Sequence, residues 1–156
     1  MTLVRTTLTP LRVVGRKTDM RTQFAALPWR VSSEGKPQVL LITSRDTGRW
    51  ILPKGWPMQD ETPADAAATE AWEEAGVKGR VASACIGIYS YDKSMEDGSL
   101  PVAVAVFPIE VEKLAKRYPE AGDRRRRWFS RRKAAESVAE PELQAIIETF
   151  DPRMAR

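Results

Sequence analysis

Residues 62–76, TPADAAATEAWEEAG, describe a helix built to lie close against a flat partner. Thr62 is a natural N-cap, Pro63 suits the first helical position, and Asp65 complements the positive helix end. Gly76 stands where a helix stops in the left-handed conformation. Ala64, Ala67, Ala68, Ala71 and Ala75 provide small side chains, so a sheet can approach the helix backbone. The same helix carries Glu70, Glu73 and Glu74, three and four positions apart and so expected to face one patch of space. Like charges at this spacing cost a few tenths of a kcal/mol per exposed pair, roughly, a cost that a bridging divalent cation reverses. Taken alone, such a helix is also readable as a plain solvated acidic face.

The flanking segments indicate what it packs on. Residues 23–31 read as a strand, with Pro28 arguing against a central place in a sheet. Residues 38–44 are an apolar run suited to a buried strand, and residues 49–52 suggest another. Residues 53–61 form a loop holding Gly55 and two prolines. Two β-rich runs, 81–91 and 100–111, are separated by the polar segment 92–99 and look like neighbouring strands joined by a loop. Residues 126–130 suggest a short last strand, and 131–138 and 141–150 two helices, capped by Ser130 and Glu140. Strands, one helix, strands and terminal helices imply an α+β domain of the α/β/α sandwich type, with a mixed β-sheet between helices.

Length and composition narrow the chemistry. The 156 residues suit one domain, placed at residues 21–150. Residues 1–20 read as a flexible extension; their Thr- and Arg-rich, acid-poor start resembles an organelle transit peptide, but Pro10 interrupts any long amphipathic helix. No apolar run is long enough to span a bilayer. The lone Cys85 excludes an internal disulfide, fits a reducing, cytoplasmic setting and reads as a small buried hydrophobe. With no histidine, His-based triads are excluded and a zinc site has too few ligands. A general base must then be a carboxylate, Lys or Tyr, and a metal would be hard and oxygen-loving, such as Mg2+ or Mn2+. The net charge of +4 is local: without the seven cations Arg124, Arg125, Arg126, Arg127, Arg131, Arg132 and Lys133, 18 basic residues face 21 acidic ones.

Gly55, Glu61, Glu70, Glu73, Glu74, Gly76 and Val77 reproduce the Nudix signature G-x5-E-x7-R-E-U-x-E-E-x-G-U (U apolar), except that Thr69 replaces the Arg. The chain therefore resembles the Nudix hydrolases. The stretches SRDTGRWILPKG, EEAGVKG and RRRRWFSRRKAAESV are similar to the diphosphoinositol polyphosphate phosphohydrolase branch, and the likeness runs over residues 23–138. The resemblance implies metal-dependent hydrolysis of a phosphoanhydride bond by water attack on phosphorus. It also implies Glu70, Glu73 and Glu74 as metal ligands and catalytic carboxylates, helped by the Gly55 carbonyl, with Glu70 as the base if the motif supplies it. Asp92, Glu96 and Asp97 are further candidates for a recruited carboxylate.

By the same resemblance Arg21, Ser44, Arg45, Lys54, Arg124 and Arg126 are expected to bind the phosphates of a small polyphosphorylated substrate, with Arg49 close by. Arg124 and Arg126 alternate before Trp128 and would share one strand face. A solvated charge run is the plain alternative. Among the tryptophans, mostly packing groups by type, Trp56 stands out because it sits in the motif loop within a substrate's reach. Two other functions stay open: a Nudix pyrophosphatase for nucleotide sugars, NTPs or RNA 5′ ends, and a non-catalytic module binding RNA or polyphosphate. Nucleic acid is the less favoured partner, and the sequence is silent on oligomeric state. In similar proteins the motif Arg pairs with a motif carboxylate; at position 69, one turn before Glu73, that cation is missing. Thr69→Arg is therefore expected to raise activity or metal affinity; unchanged or lower values in metal titrations and turnover assays would count against this reading.

Overall fold

The computed structural model describes residues 21–155, so the extension expected over 1–20 lies outside the described residues. In chain order the elements are β1 (Arg21–Val31), β2 (Pro37–Thr43), β3 (Trp50–Ile51), β4 (Lys54–Gly55), α1 (Pro63–Ala75), β5 (Val77–Val81), β6 (Gly87–Met95) and β7 (Gly98–Leu114). β8 (Arg126–Ser130), α2 (Arg131–Ser137), α3 (Pro141–Thr149) and a short 3-10 turn (Pro152–Ala155) follow. The strands form one mixed sheet. β1 runs parallel to β7, from Arg21 opposite Val102 to Trp29 opposite Glu110, and every other pairing is antiparallel.

Strand alternation sorts the apolar residues onto two faces. Ala25, Leu27, Trp29, Val39, Leu41, Val102, Val104 and Val106 face α2 and α3, where Ala134, Leu143, Ile147 and Phe150 cover them. Ala26, Leu40, Ile42, Phe107 and Ile109 meet Ala64, Ala67, Ala71 and Ala75 of α1. Cover on both faces explains why β1 and β2 read as nearly continuous apolar runs rather than alternating ones. The expected α/β/α sandwich is present.

The ends of α1 also follow the expected chemistry. Thr62 Oγ1 accepts from the Asp65 N–H at 3.1 Å, and Gly76 closes the helix at φ 68°. A Cβ at Gly76 would stand 2.5 Å from the Tyr118 ring, so both conformation and space require glycine there.

Several expectations need correction. Pro28 lies in a central strand, because β1 is flanked by β7 on one side and by β4 and β2 on the other. Ala26 donates its N–H to the Pro53 carbonyl, and position 28 points the same way, into the step between β4 and β2, where no donor is needed. The run 81–91 is not one strand. β5 pairs with the C-terminal part of β7 and β6 with its N-terminal part, so the chain leaves the sheet after Val81 and re-enters at Gly87. An apolar pattern cannot reveal such a split, since both pieces belong to the same edge of the same partner strand.

Residues 92–99 do not form the loop expected of them. β6 and β7 continue to a hairpin in which Met95 faces Gly98, with Gly98 at φ 126°. Cys85 lies in the excursion between β5 and β6 and is exposed, its thiol donating to the Gly87 carbonyl at 3.2 Å. Glu140 makes no side-chain cap on α3; its carboxylate accepts instead from Arg49 at 3.0 Å.

Ala67 and Ala71 are fully buried between α1 and the sheet. Ala71→Leu should overpack this layer and lower stability by about 1–3 kcal/mol, a loss that thermal or denaturant unfolding would measure.

Candidate active site

The extended stretch from β3 to β4 and the side of α1 that carries Glu70 and Glu74 enclose a cavity of about 320 Å³. Its lining includes Gln23, Ser44, Arg45, Lys54, Gly55, Trp56, Glu70, Glu74, Tyr91, Lys93 and Arg124. Three of the seven matching signature residues, Gly55, Glu70 and Glu74, are thus brought together.

At the centre are two carboxylates. Glu70 and Glu74, four apart on α1, are both about nine-tenths buried. Burial, with a hydrogen bond to Glu74 and its charge, pushes the Glu70 carboxyl up to about 8. Burial raises Glu74 as well, opposed first by Arg124. Glu74 Oε1 accepts the Lys54 backbone N–H at 3.3 Å, and Arg124 Nη2 lies 3.7 Å from its other oxygen. Gly55 presses against Glu70 so closely that a Cβ there would run into the carboxylate. Any larger residue there would have to push the Glu70 carboxylate aside.

Glu73 does not join them. Successive helix residues turn by about 100°, which puts Glu74 roughly 40° from Glu70 on one side and Glu73 roughly 60° away on the other. Glu73 is half-buried outside the cavity lining, near enough for its charge to raise Glu70. Among the described residues no three acidic, Cys or His side chains stand together as a ready metal cage. The pair nevertheless fits a divalent ion: two buried carboxylates that repel one another, beside the space that Gly55 leaves, form a hard oxygen donor set whose strain a cation relieves. Glu70 and Glu74 would be its ligands here, with Gly55 alongside.

The basic residues divide. Arg45, Lys54 and Lys93 line the cavity. Lys54 is lowered to about 8 by burial, and its ammonium stands 5.0 Å from the Tyr91 ring centre. Ser44 lines the cavity too, its hydroxyl 2.7 Å from that of Thr47. Arg21 opens β1 but is not part of the lining. Arg49 is held by Glu140.

Arg124 and Arg126, expected to share one face, are parted: Arg124 lines the cavity and Arg126 does not. Arg126 donates to the Ala75 carbonyl at 2.8 Å and stacks on Tyr118, clamping the C-terminal end of α1. Arg124 reaches the cavity, but it donates to Glu120 at 2.9 Å and to the Thr43 carbonyl at 3.2 Å. Strand alternation was sound for Arg126, but Arg124 precedes β8, so the rule did not govern it.

Thr69 has its own partner: its hydroxyl donates to both oxygens of Glu61, at 3.0 and 3.3 Å. Asp92, Glu96 and Asp97 lie outside the cavity lining, since β6 turns Tyr91 and Lys93 inward and Asp92 the other way. The lining also holds residues that sequence reasoning missed. Gln23 is 4% exposed and accepts the Tyr91 hydroxyl at 2.8 Å. A polar side chain adjoining the apolar run 24–29 of β1 was the available signal for it.

Residues 21–150 match the NUDIX domain family, so the chain belongs to the Nudix family. It is 32% identical over 126 residues to Nudix hydrolase 13, mitochondrial, of Arabidopsis thaliana, covering 77% of this chain and 62% of that protein. It is 33% identical over 100 residues to diphosphoinositol polyphosphate phosphohydrolase 3-alpha of Mus musculus, covering 62% of this chain and 57% of that protein. The chain thus spans less than two thirds of the length of these relatives. C. elegans Ap4A hydrolase superposes with a TM-score of 0.60 at 17% identity, over 86% of this chain and 98% of that one. For the E. coli dihydroneopterin triphosphate pyrophosphohydrolase the TM-score is 0.65 at 15% identity, over 85% and 95% of the two chains. At these identities the likeness is one of fold. No helix among the described residues is long and apolar enough to cross a membrane.

The raised Glu70 carboxyl has a consequence for metal-free protein. Between its ordinary value of 4.5 and about 8, the folded state holds a proton that the unfolded state has released. That contribution to stability is complete below about 4.5 and is lost as pH rises through 8. Lys54 acts in the opposite sense, but only above about 8. Metal-free melting temperatures should therefore fall from pH 5 to pH 8, and Glu70→Gln or added Mn2+ should flatten the slope. A slope unaltered by either would place its origin elsewhere.

Proposed function

We propose that this chain hydrolyses a phosphoanhydride bond of a small polyphosphorylated molecule, with a diphosphoinositol polyphosphate, a diadenosine polyphosphate or polyphosphate as the substrate class. The observation that carries the reading is the buried Glu70–Glu74 pair set against Gly55 at the wall of a cavity also lined by Arg45, Lys54 and Lys93. The named relative from Mus musculus supports the inositol member of that class.

A magnesium or manganese ion held by Glu70 and Glu74 would neutralise charge on the phosphate oxygens and acidify a water. Glu73 completes the ligand set if its side chain swings towards the cavity. Arg45, Lys54 and Lys93 bind the terminal phosphates and fix the scissile bridge over the carboxylates. Glu70 takes the proton of the attacking water. One P–O bond forms as the bridging P–O bond breaks, and both products leave as phosphates. Trp56, 39% exposed at the cavity, offers a flat face to whatever carries the phosphates. A cytoplasmic setting is part of the proposal and rests on the lone Cys85, whereas the plant relative bears a mitochondrial name.

The test is phosphate release from a panel of diphosphoinositol polyphosphates, diadenosine polyphosphates, nucleotide sugars, NTPs and 5′-triphosphorylated RNA. We expect turnover that requires Mg2+ or Mn2+ and falls by more than about 100-fold in Glu74→Gln, the scale of losing one charge-stabilising group. Preference for nucleotide sugars, NTPs or RNA ends would select the pyrophosphatase reading. If wild type and variant are equally inert yet bind polyphosphate, the chain is a binding module, for which exposed Arg125 and Arg127, both stacked on Trp50, would be the surface.

A further inference from the structure

The motif cation is missing at position 69, and Thr69 is occupied with Glu61. Glu74 is nonetheless gripped at both oxygens, by the Lys54 backbone N–H at 3.3 Å and by Arg124 at 3.7 Å. The Arg124 side chain is 8% exposed, and its guanidinium is spread over three partners. Nε donates to Glu120 at 2.9 Å, Nη1 donates to the Thr43 carbonyl at 3.2 Å, and Nη2 faces Glu74. Those bonds tie the guanidinium plane to the end of β2, whose Thr43 also accepts the Arg125 backbone N–H through its hydroxyl at 2.9 Å. Glu120 is anchored in turn, its N–H donating to the Glu73 carbonyl at 3.0 Å. The result is a closed circuit from α1 through the segment before β8 to β2 and back to the carboxylate.

We infer that Arg124 is the positioning residue of this site, a cation brought from the segment before β8 that orients Glu74 where the helix lacks its own arginine. The inference rests on the reading of Glu74 as a ligand of the catalytic ion, and it assigns Arg124 to the carboxylate rather than to the substrate. A guanidinium that bonds internally through Nε and Nη1, turns Nη2 to Glu74 and is 8% exposed is committed to the fold more than to a phosphate, and its planar fork suits the fixing of a carboxylate. Arg45, Lys54 and Lys93 remain for the substrate.

Two measurements test this. The first is a double-mutant cycle in metal-free protein at neutral pH, comparing unfolding midpoints of wild type, Arg124→Gln, Glu74→Gln and the double variant. If Arg124 holds Glu74, removing the carboxylate is less damaging, or more stabilising, once the arginine is gone. Additive midpoints would overturn the inference, and this cycle reads the contact whether or not the chain is an enzyme. The second is steady-state kinetics on a diphosphoinositol polyphosphate with Mn2+. A positioning role predicts kcat lower by about 10- to 100-fold in Arg124→Gln with KM little changed, and partial recovery in Arg124→Lys. A raised KM at intact kcat would make Arg124 a phosphate arm and overturn the inference. Wild-type inactivity would sink the functional reading, leaving the cycle to decide the Arg124–Glu74 contact.

Discussion

The site depends on how closely α1 approaches the sheet. Ala64, Ala67, Ala71 and Ala75 present almost no side-chain bulk to Ala26, Leu40, Ile42, Phe107 and Ile109. That closeness brings Glu70 against Gly55 of β4 and Glu74 within reach of the Lys54 N–H, although helix and strand are separate elements. A larger side chain in the alanine layer would lift the helix, and the carboxylates would lose both their burial and their partners. Packing here sets the electrostatics: the same burial raises both Glu70 and Glu74.

The two ends of α1 are secured by different means, and both matter to the carboxylates between them. Thr62 fixes the start by a local cap, and the left-handed Gly76 ends the helix, with Ala115 donating to its carbonyl at 2.8 Å. Arg126 then takes the Ala75 carbonyl, and Arg124 takes Glu74. Two members of the basic run, Arg124 and Arg126, are therefore internal fastenings of this helix. The exposed members of the run, Arg125 and Arg127, lie over Trp50 instead. A run that looks uniform in sequence serves two surfaces: alternation turns Arg126 and Arg127 apart within β8, whereas Arg124 and Arg125 are placed by the segment before it.

Much of the fold was legible from local chemistry. Helix caps, the alanine face, strand β8 and the helices after it need only neighbouring residues, and the structure agrees with them to within a residue or two. The failures share a cause. Pro28 was misjudged because the change of partner from β4 to β2 is a property of the sheet. The break after Val81 and the β6–β7 hairpin depend on β7 being long enough to serve two partners along one edge. Cys85 was placed in the core because the strand around it was assumed continuous; once the chain leaves the sheet, the thiol is exposed.

By itself the sequence determined which side chains are on hand. Without histidine and with a single cysteine, carboxylates are left as the donors for the proposed chemistry, and the Gly55 to Val77 spacing identified the loop and helix that carry them. Tertiary structure decided which carboxylates are buried together. Helical geometry allowed Glu70 to pair with either Glu73 or Glu74, and only the direction from which β4 and the segment before β8 approach selects Glu74. It likewise tied Arg124 and Arg126 to internal partners and left Arg45, Lys54 and Lys93 at the cavity beside Arg124. Spacing along a helix defines a set of directions, and burial by distant segments determines which of them become a site.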